Sequence, residues 1–380
     1  MAGHGACSWG DTTMLASPLP SLVSSLLLSQ APSPEPSPDA EAPGLLSRLE
    51  VEGGVDVYFG YNTNRPADGA SFIPGTGTTA RRDNEVSINL ASLGVSLAPE
   101  PVGFKVLLGF GTGIEVLHQA EPEGPAIGPE VWRHLQQATV SYATGPLTLE
   151  AGVYPSHIGL ESFQSRLNWN YTRSWMGELS PYYQSGLKST WAFDDAWSAQ
   201  LHLLNGWQTI GENNRGKALG TQVAYAGPRL STALNTFVGE EGDGGLRLFV
   251  DAVATWKVTH AFALAATADV GRQARSGQSA ALWYAAGFNA RVQLSDVVAV
   301  AARVEAYRDE DGLITGAVQT LAGGTLTLEL KPAEHLVLKM EARRDTSTAD
   351  VFTGRATGGD GAPMLEDAET LGVLSAVAWF

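Results

Sequence analysis

A chain of 380 residues with a formal net charge of −16 is long enough for one large domain or two ordinary ones. Its acidity excludes the nucleic-acid backbone as a partner. Its single cysteine, Cys7, excludes an internal disulfide or a cysteine metal site. No apolar run reaches the roughly 18 residues of a transmembrane helix, and nothing in residue type or spacing implies a cofactor or metal.

Residues 1–31 read as an export signal. SLVSSLLL (21–28) is an apolar core too short to span a bilayer, and SQA (29–31) and AEA (40–42) are small-residue cleavage candidates. Each candidate is followed by proline, and no Lys or Arg precedes Arg48. A start at Met14 would supply the missing positive charge through its amine; a leader without signal function is the alternative. Residues 32–46, opening PSPEPSPDAEAP, form a Pro/Ser-rich acidic linker too poor in apolar groups to fold.

From residue 47 to 380 one rhythm repeats. Segments of about ten residues alternate apolar with polar or small, the period of strands. WSAQLHL (197–203) places Trp197, Ala199, Leu201 and Leu203 on one face and Ser198, Gln200 and His202 on the other. LFVDAVATWKV (248–258) sets Leu248, Val250, Ala252, Ala254, Trp256 and Val258 against Asp251, Thr255 and Lys257. TLTLEL (325–330) and LVLKMEARRD (336–345) do the same, with Lys339, Glu341, Arg343 and Asp345 sharing a face. The second strand (86–97) changes parity near Ala91, where a bulge is expected. Tight turns such as TGP (144–146), GP (227–228) and SD (295–296) alternate with longer polar connections, among them 65–84, 118–134, 155–180, 272–279 and 346–368. The tally is about sixteen strands, an even number.

A soluble sandwich also alternates, but here the second face carries Lys105, Glu150, Lys188, Arg247, Asp251, Lys257, Asp269, Arg291, Arg303, Glu305, Lys339, Glu341 and Arg343. A dry sandwich core could not hold these ions. Apolar outside and ionic inside describes an all-β transmembrane antiparallel up-and-down barrel, closed so that no bare strand edge meets lipid. An even strand number puts both termini at one end, expected to be periplasmic. The final strand, TLGVLSAVAWF (370–380), projects Leu374, Ala376, Ala378 and Phe380 together. Its terminal aromatic resembles the assembly signal of outer-membrane barrels, although Ala378 stands at a third-from-last position that is commonly aromatic.

Five stretches resemble the OmpL-like β-barrel porin family: SLAPEPVGF (96–104), PSHIGLESFQSRLNWNYTRSW (155–175), SPYYQSGLKST (180–190), LHLLNGWQTIGENNRGKALG (201–220) and ARVEAYRDEDGLITG (302–316). Their order covers most of residues 50–380. The resemblance implies an outer-membrane pore for passive diffusion of small hydrophilic solutes or ions. It also implies outer-membrane lipids, lipopolysaccharide and the barrel assembly machinery as partners, and leaves a homo-oligomer open.

In general porins, which this layout resembles, the long connection after the fifth strand folds inward and narrows the channel. Here that connection (155–180) carries Glu161, Arg166, Arg173 and Glu178 with Trp169, Tyr171 and Trp175, which suits an inward loop packed on the wall; an external loop seated in the aromatic girdle is the alternative. Arg247, Asp251, Arg303, Glu305, Glu329, Lys339, Glu341 and Arg343 are the expected pore-lining residues, tuning selectivity or forming a structural salt-bridge network. A structural or adhesive barrel without an open pore is the other reading. A hydrolase is disfavoured: Ser156 and His157 are adjacent on an extended segment and cannot face one another, with His134 and Asp83 near the same rim and no G-x-S-x-G or H-E-x-x-H string. Deleting Phe380 is expected to lower the outer-membrane level of the protein at unchanged synthesis, measured by membrane fractionation against pulse-labelling. Normal surface levels would remove the terminal aromatic from its role as assembly signal.

Overall fold

Residues 44–123, 128–212, 214–242, 244–359 and 361–380 are described in a computed structural model. The expected signal (1–31) and the linker as far as residue 43 lie outside the described residues. Leu45–Arg48 form one 3-10 turn that leads into the first strand.

The strands in the first half of the chain are β1 (Leu49–Asn62), β2 (Val86–Leu97), β3 (Val102–Phe110), β4 (Leu135–Thr144), β5 (Leu147–Pro155), β6 (Tyr183–Ala192), β7 (Trp197–Leu204) and β8 (Ala218–Ala226). The second half supplies β9 (Leu230–Glu241), β10 (Gly245–Lys257), β11 (Phe262–Arg275), β12 (Gln278–Gln293), β13 (Val298–Asp309), β14 (Gln319–Ala333) and β15 (Leu336–Ser347). After a short hairpin of β16 (Phe352–Thr357) and β17 (Pro363–Glu366), the chain ends in β18 (Ala368–Trp379). Each barrel strand pairs antiparallel with its sequence neighbour, and β18 pairs with both β15 and β1, closing a sixteen-stranded barrel. Every interior strand thereby satisfies its backbone on both sides, which a lipid environment demands.

The alternation sorts the faces as the sequence predicts. Leu201, Leu234, Val250, Phe288, Val304, Leu326 and Leu374 are exposed on the outside of the wall, whereas Gln200, Asn235, Asp251, Arg303, Thr327 and Ser375 are buried inside. Phe380 lies outward and 67 % exposed; its N–H donates to the Gly53 carbonyl, so the chain end is stitched to β1. The expected bulge in β2 falls at Asn89: register with β1 slips between Asp56 and Val57, and Asn89 and Leu90 both turn inward.

Two connections differ from expectation. Residues 272–279 are not a polar loop: pairing of β11 with β12 continues to Arg275 and Gln278, leaving a two-residue turn with Gly277 at φ 68°. Polar side chains do not stop a strand that projects past the membrane into water, so polarity marked the lipid boundary and not the strand end. Residues 346–368 hold the β16–β17 hairpin, whose Phe352 is fully buried against Trp175. The interior is also not purely ionic. In the half of the barrel nearer the long connections, inward-facing Phe237, Phe249, Trp283, Tyr307 and Leu321 form a dry cluster with Phe72 and Trp175 from connecting segments.

Continuous pairing around the wall generates the first structural prediction. Refolded protein should keep its compact mobility in SDS until boiled, because no strand can leave without breaking two ladders. Identical mobility of boiled and unboiled samples, after refolding verified by circular dichroism, would contradict a closed barrel.

Candidate functional site

Segment 156–182, between β5 and β6, runs through the inside of the barrel. It has almost no regular structure, only one 3-10 turn at Ser165–Leu167 and a single helical turn, α1 (Trp175–Glu178), capped by the Ser174 hydroxyl. Its unpaired backbone groups must find partners within the lumen, and the ions of the wall provide them. Glu341 accepts from the Tyr171 and Thr172 amides at 2.6 and 3.0 Å and from the Thr172 hydroxyl. Glu305 accepts from the Trp175 amide (2.6 Å), and Asp251 from the Gly159 amide (2.8 Å). Cations take the carbonyls: Lys339 Nζ donates to Ser165 O and Asn168 O, Arg303 to Thr172 O and Arg173 O, and Arg343 to Arg173 O.

Side chains complete the attachment. Asp56 accepts from Tyr171 Oη (2.9 Å), Ser165 Oγ (2.7 Å) and the bulged Asn89. Trp175 Nε1 donates to Asp345 Oδ1 at 2.8 Å, while the Arg343 guanidinium lies 5.1 Å from the Trp175 ring. At the far end Glu178 accepts from the amides of Gly77 and Thr78 and from the Tyr182 hydroxyl. This ties the segment to the β1–β2 connection.

Glu161 joins loop and wall: it accepts from the Ser174 amide and hydroxyl and from Arg303 Nη1 at 2.8 Å. Burial alone would raise its carboxyl, but Arg303, Arg173 and the Ser174 bonds outweigh that and hold it below the usual glutamate range. Arg173 is buried over the Tyr182 ring at 4.7 Å.

The expected pore-lining residues therefore divide. Arg303, Glu305, Lys339, Glu341 and Arg343 meet in one buried network under the loop, with Arg303–Glu305 at 3.1 Å and Arg343–Asp345 at 2.6 Å. Glu329 lies at its edge, 2.8 Å from Arg291 and 3.6 Å from Lys339. Asp251 holds the loop's start with Asn235. Arg247 is elsewhere, packed between the rings of Trp207 and Trp283 in the aromatic half. Arg166 faces Trp379 at 5.3 Å. Asp345 belongs to the site, on the face it shares with Lys339, Glu341 and Arg343 in the sequence, and so does Asp56, which the sequence did not single out although it sits at inward parity in VDVYFGY.

Ser156, His157, His134 and Asp83 fall into separate contacts. Ser156 Oγ accepts from the Ile158 amide, and His157 stacks on His202 at 4.1 Å while its Nδ1 lies 2.7 Å from Gln184. His134 bonds to Gly109 O, and Asp83 accepts from the Asn62 amide.

A closed sixteen-stranded barrel, apolar outside, with an inward loop after its fifth strand, defines an outer-membrane porin. The chain belongs to the family described as "Putative beta-barrel porin-2, OmpL-like", whose model matches residues 48–380. No curated protein matches it in sequence. Its fold is similar to the anion-selective porin from Comamonas acidovorans, at 13 % identity and a TM-score of 0.57, covering 87 % of this chain and 99 % of that one. It is likewise similar to the outer-membrane channel DcaP of Acinetobacter baumannii, at 10 % identity and a TM-score of 0.56, over 87 % and 97 % of the two chains. The protein is an outer-membrane porin of this family.

The loop attachment carries a prediction. Glu341→Ala strands the buried amides of Tyr171 and Thr172 and the hydroxyls of Thr172 and Thr327, a cost of about 1–3 kcal/mol each. Segment 163–175 in the assembled barrel should become cleavable by a protease that leaves the wild type intact, with the heat-modifiable mobility retained. Unchanged protection would show that Glu341 does not hold the loop.

Proposed function

We propose that segment 156–182 is the constriction of a channel through which small hydrophilic solutes diffuse passively. The observation that carries this reading is the exchange of loop amides and carbonyls with the wall ions Glu341, Glu305, Lys339, Arg303 and Arg343, which holds an otherwise unstructured segment across the lumen. No chemical step is needed for this role, and the scattered Ser156, His157, His134 and Asp83 favour a channel over a hydrolase. The short turns and both termini share one end, which we assign to the periplasm, with the long connections facing lipopolysaccharide. Insertion would proceed through the barrel assembly machinery and the Phe380 end. A homo-oligomer is in keeping with a structural neighbour described as a trimer form, OmpT of Vibrio cholerae, at 10 % identity.

Single-channel recording tests the constriction. Removing residues 161–178 should raise conductance, since the narrowest stretch dominates the resistance of a water column. If the deletion fails to assemble, Glu305→Gln with Glu341→Gln keeps the loop's length and should raise conductance or its noise as the loop loosens. Conductance indifferent to both changes would remove the loop from this role, and a refolded barrel that never conducts would favour the structural reading.

A further inference from the structure

We infer that Arg166 and Lys331, the two cations that flank Trp379 at the short-turn mouth, give the channel a preference for small anions. The inference rests on the reading of the lumen as a conducting path and assigns which charges a passing ion meets.

Exposure separates the inward ions into two groups. The Arg303 and Arg343 side chains are 1 % and 0 % exposed, each against a carboxylate and the loop backbone. They are hidden from ions in the water. Elsewhere on the wall, Lys105 of β3 and Glu52 of β1 are each 33 % exposed, and Lys188 of β6 and Glu150 of β5 are 17 % and 20 % exposed. These face water, but each is an ion pair across the wall, and a contact pair presents little net charge at a distance. Further out at the same end, Glu50 and Lys257 are one of each sign on inward positions of β1 and β10.

Arg166 and Lys331 are different. Arg166, in the loop, is half-buried 5.3 Å from the centroid of the Trp379 ring; exposed Lys331, near the end of β14, lies 5.9 Å from the same ring. Among the described residues neither has a carboxylate at ion-pair distance. Glu52, which acts on Arg166, is committed to Lys105, and Glu329, two residues from Lys331 on β14, is committed to Arg291 and Lys339. An indole face attracts a cation without cancelling its charge. Trp379 therefore gathers two positive charges that have no salt-bridge partner among the described residues at one place on the rim, and fixed positive charge in a confined water path favours anions over cations.

Reversal potentials in planar bilayers under a KCl gradient test this, with heat-modifiable mobility confirming that each variant is folded. Arg166→Gln and Lys331→Gln should each lower the chloride-to-potassium permeability ratio about four-fold at low salt, since one unit charge roughly 10 Å away in water weights chloride up and potassium down by about two-fold each. The double variant should lower it further, and the shift should shrink at molar salt, where the screening length falls to about 3 Å. Glu52→Gln with Lys105→Gln, which removes a self-compensated pair, should leave the ratio near the wild-type value. A wild-type channel that prefers potassium, or single and double variants with the wild-type reversal potential, would overturn the assignment while leaving the constriction intact. A wild type that makes no channels would remove both.

Discussion

The interior depends on one exchange: backbone groups of a loop without secondary structure bond to ions of the barrel wall. A segment of this length inside a barrel cannot leave its amides and carbonyls bare. Acids on β10, β13 and β15 accept the amides of Gly159, Tyr171, Thr172 and Trp175; cations on β13 and β15 donate to the carbonyls of Ser165, Asn168, Thr172 and Arg173. The two signs are both needed because a peptide unit offers one donor and one acceptor. This accounts for the mixed ladder on β13–β15 better than any single-sign lining would.

The exchange also explains how so much charge tolerates burial. An isolated buried ion is prohibitively costly, and a bare buried pair often fails to recover its desolvation. Here each ion has several partners. Arg303 meets Glu161, Glu305, Thr325 and two loop carbonyls, and Arg343 meets Asp345, Glu305, a loop carbonyl and the faces of Phe72 and Trp175. The loop in turn presents Trp175, Ile158 and Met176 to the aromatic cluster above it. Anchoring and apolar packing thus reinforce one another.

Much of this was legible beforehand where the physics is local. Alternation followed the outer face from Leu201 to Leu374, because every outward position meets lipid and every inward one does not. The bulge at Asn89 and the stitched end at Phe380 left local marks too. The turn at Gly277 was misread for a physical reason: strand pairing outlasts the membrane, so the polar stretch 272–279 remained sheet. The inward aromatics Phe237, Phe249 and Trp283 were equally opaque, since parity names the face but not whether water or a folded loop will cover it.

By itself, then, the sequence determined the closed antiparallel wall, the approximate strand number, the sign pattern on the inner face and the long connection after the fifth strand. Each follows from period-two alternation and the need to satisfy a backbone in lipid. Only the tertiary structure decided which inward ions are enclosed and which face solvent. Arg303 and Arg166 are alike as residues in the sequence. One is sealed between Glu161, Glu305 and the loop backbone; the other lies over Trp379 with no acid of its own. That difference arises from contacts between segments more than a hundred residues apart, across a lumen whose width no local pattern encodes.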